Sequence, residues 1–84
     1  MSMTYEEQLA KAEKKLAMWE EAEERVATSG QKYTLVEGDT RRDLTRANLH
    51  EIRLNIDLYT RRINRLEKII ANGTTGRIMF GRGV

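Results

Sequence analysis

Two long stretches of the chain place apolar residues at alternating intervals of three and four, the spacing of one face of a helix. Before the first stretch, Thr4 and Glu7 have the spacing of an N-terminal capping box. Ser29 and Gly30 supply its stop. The pattern predicts a helix of about 25 residues and roughly 37 Å. Its apolar stripe, broken only at Glu23, consists of Tyr5, Leu9, Ala12, Leu16, Trp19 and Val26.

The second stretch has an unbroken apolar pattern. Thr45 is the predicted N-cap, and Asn72 and Gly73 are the predicted stop. This helix would be roughly 40 Å long, which matches the first. Leu58 and Ile69 widen its stripe, which consists of Leu49, Ile52, Ile56, Tyr59, Ile63, Leu66 and Ile70.

The residues between the two helices alternate as a β-hairpin does. Tyr33 and Leu35 alternate with polar neighbours, and residues 37–39 read Glu-Gly-Asp, a turn signal. Residues 40–44 can return as the second strand, with Leu44 facing inward. Two strands alone are marginal in water, so this hairpin must pack on the helices or on another chain.

The predicted architecture is therefore α+β, with two long antiparallel helices joined by a short β-hairpin. Residues 1–72 would form this helix–hairpin–helix domain, and residues 73–84 a flexible C-terminal arm rich in Gly and Arg. A long coiled coil is the alternative arrangement, but a turn-rich hairpin separates the two heptad patterns. Some apolar surface around Trp19, Leu58 and Ile69 is expected to remain for a neighbouring molecule.

The C-terminal arm has an apolar cluster, Ile78, Met79 and Phe80, between Arg77 and Arg82. These side chains either fold back onto the protein's own core or dock into another chain, and we favour docking. Their burial would contribute roughly 5–8 kcal/mol, much of which the ordering of a glycine-rich segment would offset. The four residues from Arg77 to Phe80 are the predicted docking arm, which could add as a strand to a sheet edge.

Composition limits the class of protein. The chain has 84 residues, no cysteine and no proline, which allows one domain and excludes disulfides and thiolate metal sites. It has no run of roughly 20 apolar residues that could span a membrane. Its N-terminus lacks a signal-peptide pattern, so we expect a soluble protein that is cytoplasmic at synthesis and not membrane-bound.

The net charge of +2 is unevenly distributed. Residues 1–36 have seven acidic and five basic groups, a net of −2, and residues 37–84 have six acidic and ten basic groups, a net of +4. This asymmetry favours polar contacts between subunits, or a surface that tolerates phosphate. Arg61, Arg62 and Arg65 span about one helical turn and would form a patch. It is either a solvated face or a surface towards DNA or an acidic partner.

Catalytic chemistry has little support in the sequence. His50 is the single histidine, and without a second histidine or a cysteine it completes neither a common metal site nor a nucleophile–base pair. Glu20 and Glu24 are expected on a solvated helix face. No phosphate-binding glycine motif precedes a helix. We therefore expect no enzyme activity, no cofactor, no metal and no small-molecule substrate.

The order of parts resembles the small head-completion, or head–tail joining, proteins of tailed bacteriophages, the gpW type. The resemblance is in the capped first helix, the hairpin "YTLVEGDTRRDLT", the second helix that follows it, and the Arg/Gly segment with its apolar cluster. It implies an α+β fold without enzymatic activity. It also implies a virion protein, made in the bacterial host cytoplasm, that assembles as a ring on the portal vertex.

The resemblance also implies partners for each part of the chain. The ring would extend the DNA channel, contact DNA without sequence specificity and offer a platform for a neck or tail protein. The arm would dock on the portal protein. The hairpin would contact the next ring through Tyr33, Leu35, Glu37, Arg41 and Arg42. The alternative function is a small helical regulatory module that binds a protein or DNA.

Overall fold

The computed structural model describes residues 3–73, which form two helices joined by a β-hairpin. The predicted α+β fold, with the elements in the predicted order, is confirmed. Among these residues, no helix has the length and apolarity that crossing a membrane requires. The elements are α1 (Tyr5–Glu23), a π-helical turn (Glu24–Thr28), β1 (Tyr33–Glu37), β2 (Thr40–Leu44), a 3₁₀ turn (Arg46–Asn48) and α2 (Leu49–Gly73).

Helix α1 begins with the predicted capping box. The backbone N–H of Glu7 donates to Thr4 Oγ1 at 3.0 Å, and the backbone N–H of Thr4 donates to Glu7 Oε1 at 2.9 Å. These two bonds satisfy N–H groups that a helix start otherwise leaves unpaired. The buried positions further along are Ala12, Trp19, Ala22 and Val26. The buried face therefore includes the small residue Ala22, which the predicted stripe omitted, and Glu23 beside it is half-buried.

Helix α1 ends where the sequence predicts, but its last turn is wider than expected. Residues Glu24–Thr28 form a π-helical turn, and the N–H of Gln31 donates to the carbonyl of Arg25 at 3.1 Å. Gly30 has a φ of +69°, a left-handed conformation that favours glycine. A β-carbon there would also lie 3.1 Å from the Arg46 guanidinium. The chain can therefore reverse here, towards the hairpin.

The hairpin pairs Tyr33 with Leu44 and Glu37 with Thr40, which leaves a two-residue loop. Gly38, the first loop residue, has a φ of +60°, as tight hairpin turns of this length require. Directly paired residues share a face of the sheet. Leu35 and Leu44 point inward and are buried at 2% and 0% exposure. The predicted inward direction of Leu44 is confirmed.

Helix α2 begins after a short 3₁₀ turn. The backbone N–H of Thr45 donates to Asn48 Oδ1 at 2.9 Å, and the N–H of Asn48 donates to the Thr45 carbonyl at 2.8 Å. The predicted N-cap at Thr45 is thus confirmed, although the α-helix proper starts at Leu49. The two helices are antiparallel. Arg53, early in α2, donates to Glu23 at the end of α1 over 2.9 Å.

The core lies at the end of the helix pair that the hairpin covers. It consists of buried side chains from both helices and both strands: Trp19, Ala22, Val26, Leu35, Leu44 and Ile52. Trp19 is only 4% exposed, so the expectation of spare apolar surface around it was wrong. Trp19 shares one buried cluster with Leu35 and Leu44 of the strands. Leu58 is 40% exposed, as expected, and Leu54 is 56% exposed.

Replacing Trp19 with alanine tests this core. We expect Trp19→Ala to lower the free energy of unfolding by about 3 kcal/mol, because a large side chain is removed where helices and strands meet. Urea unfolding followed by helical circular dichroism measures the loss. Glu20→Ala, at an exposed neighbouring position, is the control and should leave stability nearly unchanged. An equal loss in both variants would contradict the proposed core.

Candidate functional site

The predicted docking arm lies outside the described residues. Arg77, Ile78, Met79 and Phe80 all follow Gly73, the last residue that the structure describes. The division into residues 1–72 and 73–84 therefore stays a prediction, and helix α2 includes Gly73.

The hairpin has an inner and an outer face, and most of the predicted inter-ring contacts lie on the inner one. Tyr33 and Leu35 point towards the helices, the first half-buried and the second buried. Glu37 forms an ion pair with Lys15 of α1. Arg42 reaches Glu51 of α2. These four side chains therefore attach the hairpin to the helix pair.

Different side chains lie on the outer face of the hairpin. Arg41 is exposed there and forms no ion pair with another described residue. Val36 beside it is 49% exposed. Thr34 donates to Asp43 at 2.9 Å across the strands. Sequence reasoning missed Val36, although strict alternation from the inward Leu35 would have placed it outside.

The ion pair of Arg42 and Glu51 is bidentate. Arg42 donates from Nη1 to Glu51 Oε2 at 2.6 Å and from Nη2 to Oε1 at 2.8 Å. These donated hydrogen bonds, with the guanidinium charge, lower the pKa of Glu51 from its ordinary 4.5 and raise that of Arg42. Such paired geometry fixes orientation better than a single contact does. The pair ties β2 to the first turn of α2.

Two other groups on the hairpin have shifted pKa values. The hydrogen bond from Thr34, with the charge of Lys32, lowers the pKa of Asp43. Partial burial, followed by the negative charge of Glu21, raises the pKa of Tyr33. The Tyr33 hydroxyl donates to Glu21 over 3.5 Å, which is long for such a bond. The contacts of Asp43 lie within the hairpin and beside its first strand, whereas the contact of Tyr33 joins the hairpin to α1.

The three arginines of the predicted patch have three different surroundings. Arg61 pairs with Asp57 one turn earlier at 2.9 Å. The guanidinium of Arg62 lies 5.2 Å from the centre of the Tyr59 ring, a cation–π arrangement. Arg65 is exposed and forms no ion pair with another described residue.

A cleft of about 410 Å³ lies between the start of α1 and the end of α2, beyond the hairpin turn. Lys11 and Lys15 of α1 face it, with Arg62 and Arg65 of α2. Its apolar lining is Met3, Ala12, Tyr59 and Leu66. Of the four cations, only Lys15 has an acidic partner among residues 3–73. The cleft can therefore receive an anionic group.

Sequence reasoning found the arginines of this cleft but missed its lysines. Lys11 and Lys15 lie one turn apart, at the edge of the buried face that contains Ala12. An antiparallel alignment of the two stripes brings Ala12 level with Leu66, and the lysines follow from that alignment. The signal was present, but it depends on the pairing of the helices and not on either helix alone.

The residues considered for catalysis are separate from this cleft. His50 is exposed in the first turn of α2. Glu20 and Glu24 are exposed on α1 and its π-helical extension. Within the part of the chain that the structure describes, no three His, Cys, Asp or Glu side chains are grouped as a metal site requires.

The Arg42–Glu51 pair predicts a dependence of stability on pH. A carboxylate whose pKa is lowered on folding contributes stability above its ordinary pKa of 4.5 and loses it as pH falls through the folded value. We expect Glu51→Gln to be less stable than the parent near about pH 6, and the difference to shrink towards about pH 3. Urea unfolding at both pH values measures this.

Glu67→Gln is the matched control. Glu67 is exposed on the same helix and makes no ion pair with another described residue. Its substitution should leave the pH dependence close to that of the parent. A stability difference for Glu51→Gln that stayed constant with pH would show that the pair does not contribute.

Comparison with known proteins gives one family. No curated protein and no solved structure matches the chain. The model of a family described as of unknown function, DUF6148, matches residues 1–83. The match includes both helices, the hairpin and nearly all of the C-terminal segment, and the family description states no activity, ligand or partner. The chain therefore belongs to the DUF6148 family.

Proposed function

We propose that this protein is a structural connector of a tailed bacteriophage. It assembles as a ring on the portal vertex, extends the DNA channel and provides a platform for the next neck or tail protein. It performs no reaction and needs no cofactor. It is made in the bacterial host cytoplasm and becomes part of the virion.

The observation that supports the proposal best is the arrangement of the hairpin on the helix pair. The fold is the one that the resemblance implies, and the hairpin is fixed at one end by Leu35, Leu44 and the Arg42–Glu51 pair. This attachment leaves Val36 and Arg41 exposed on its outer face. A rigid hairpin with an exposed apolar residue suits a contact with another ring better than a mobile loop does.

The remaining surfaces have roles in the same proposal. The cleft with Lys11, Arg62 and Arg65 would face phosphate in the channel, because these cations have no acidic partner among the described residues. Contacts of this kind bind DNA without reading its sequence. The arm, Arg77 to Phe80, would dock on the portal protein. Many weak docking contacts around a ring bind firmly together.

Electron microscopy of DNA-filled heads that lack this protein tests the role of the arm. Heads that contain the portal would be mixed with the full chain, with Phe80→Ser or with Ile78→Asp. We expect the full chain to add density at the portal vertex and both variants to add none, because a polar or charged side chain opposes burial of the arm.

Circular dichroism of the same samples is the control. Both variants should keep the helical signal of the parent, because the buried core of the described residues, 3–73, is formed by positions 12–66 of both helices and the hairpin. Loss of helix would place the arm in the protein's own fold. Density at the vertex with all three samples would support the connector role but contradict the proposed docking role of the arm. No density with any of them would contradict the connector role.

A regulatory module that binds DNA is the second candidate, and the cationic cleft favours it. For such a protein, affinity for free duplex falls steeply between low and moderate salt. We expect instead weak binding to duplex at about 0.15 M salt, with Kd above about 100 µM. Fluorescence anisotropy of a labelled duplex measures it.

The variant Arg62→Ala/Arg65→Ala and the control Arg41→Ala separate the cleft from the general charge of the protein. Tight binding by the parent, lost only in the cleft variant, would favour the regulatory function over the connector.

A further inference from the structure

Helix α1 has a second stripe on the side opposite its buried residues. Every position in this stripe is either small or acidic, and every one is exposed. None of its four glutamates forms an ion pair with another described residue. The spacing of 4-3-4-3-4 keeps the positions on one face. The acidic stripe, which includes the start of the π-helical turn, consists of Glu6, Ala10, Glu13, Ala17, Glu20 and Glu24.

Helix α2 has a second stripe of the opposite character. It also lies away from the buried residues of its helix, with a spacing of 4-3-4-3. All its positions are exposed, including two leucines at 56% and 40%. The basic stripe consists of Leu54, Leu58, Arg61, Arg65 and Lys68.

The two stripes lie on opposite edges of the molecule. Each helix turns its buried face towards the other helix and the hairpin, and each stripe is on the far side of its own helix. The principal dimensions of 48, 29 and 14 Å describe a thin slab, with the helices side by side and the hairpin on one face. One edge is acidic with small side chains, and the other is basic with leucines.

We propose that a second copy of this chain is the partner of these edges. The acidic stripe of one copy packs against the basic stripe of the next, in a head-to-tail contact. Because the two edges differ, the contact is heterologous, and it closes into a ring when the rotation between copies allows. The inference rests on the proposed connector function for its biological role, and it identifies the contact that builds the ring.

The positions of the residues along the helix axes are consistent with this contact. Within one copy, Arg53 pairs with Glu23, so these two residues lie at the same height along the antiparallel helices α1 and α2. A neighbouring copy at the same height repeats those levels across the contact. Lys68 then lies level with Glu6, and Leu58 level with Ala17.

The remaining positions follow the same levels. Arg61 and Arg65 lie on either side of Glu13. Small residues allow helices to approach closely, so the side chain of Leu58 can fill the space beside Ala17. Ion pairs then form on both sides of a leucine–alanine contact.

The surface of α2 has a depression in which a carboxylate could bind. A depression of about 280 Å³ is lined by Leu58, Arg61, Arg62 and Arg65. The Arg61–Asp57 pair beside it has side chains 73% and 62% exposed, and so exposed a pair contributes little. Arg61 can therefore exchange Asp57 for a carboxylate of the neighbouring copy.

The proposal divides the predicted arginine patch by role. Arg62 lies over Tyr59 and faces the cleft, where it is available to phosphate. Arg61 faces the neighbouring copy, and Arg65 lies at the border of the two surfaces, where it lines both the cleft and the depression. The acidic edge lies on α1, in the half of the sequence with a negative net charge, and the basic edge lies on α2, in the half with a positive net charge.

Sedimentation velocity of the full chain tests the contact. The measurement covers protein concentrations up to about 1 mM, which detects association as weak as about 4 kcal/mol. We expect concentration-dependent association at low salt that is lost at about 1 M salt, where the Debye length is about 3 Å. Glu13→Lys/Glu20→Lys and Arg65→Glu/Lys68→Glu should each weaken association by about tenfold or more.

A mixture of the two variants gives the sharper result. In the first variant the altered edge has two glutamates and two lysines and is neutral, and in the second the altered edge has one arginine and two glutamates and is acidic. Neither variant therefore joins its own copies as the parent does, but the unchanged basic edge of the first still complements the unchanged acidic edge of the second. A 1:1 mixture should therefore restore association. Lys32→Glu/Arg41→Glu reverses as many charges as the second variant, but on the hairpin, and should associate as the parent does. Because the substituted positions are exposed, all variants should keep the parental helical signal.

Each outcome decides between the proposals. A chain that remains monomeric at about 1 mM, or a mixture that fails to restore association, overturns the edge contact. Association that neither charge-reversal variant weakens also overturns the edge contact. If the chain does not associate through these edges but still adds density at the portal vertex, the edge contact is wrong and the connector role is supported. Restored association without portal density supports the edge contact and removes the phage role.

Discussion

The packing of Leu35 and Leu44 against the helix pair is the constraint on which the rest of the structure depends. Two amphipathic helices alone leave part of each apolar face in water, and an isolated hairpin is marginally stable. Their union buries Trp19 and Ile52, together with both leucines, in one core. Because this core lies at one end, it fixes the hairpin there, and within residues 3–73 no further element covers the other half of the helix pair. The position of the cationic cleft follows from this.

The hairpin is attached by charge as well as by apolar contact. Glu37 near the turn pairs with Lys15, and Arg42 pairs with Glu51. Both hairpin residues face the helices because strand pairing puts them on the same side as Leu35. Exposed ion pairs contribute little to stability, but a bidentate pair fixes orientation. The outer face, with Val36 and Arg41, is thereby presented in one orientation.

The fold followed from local patterns, whereas the surfaces depend on how the elements meet. Capping at Thr4 and the turn at Gly38 are local, and both were predictable. Spare apolar surface was expected around Trp19, because helix periodicity does not tell which residues the hairpin covers. Arg42 was predicted to contact the next ring, but the strand register places it on the same face as Leu35, where it pairs with Glu51. The cleft could not be predicted from either helix alone, because Lys11 of α1 and the arginines of α2 meet only in the folded chain.

The charged edges are exposed in the part of the chain that the structure describes, residues 3–73. The core fixes the inner face of each helix, and the hairpin covers one side of the pair, but neither constrains the far side of α1 or α2. A solvated helix usually mixes charges of both signs along its outer face. Here the outer stripe of α1 has acidic residues and alanine, and that of α2 has basic residues and leucine. Segregation of this kind keeps like edges apart and allows unlike edges to meet. A chain that must join its own copies in one direction needs this asymmetry, which a symmetric dimer does not require.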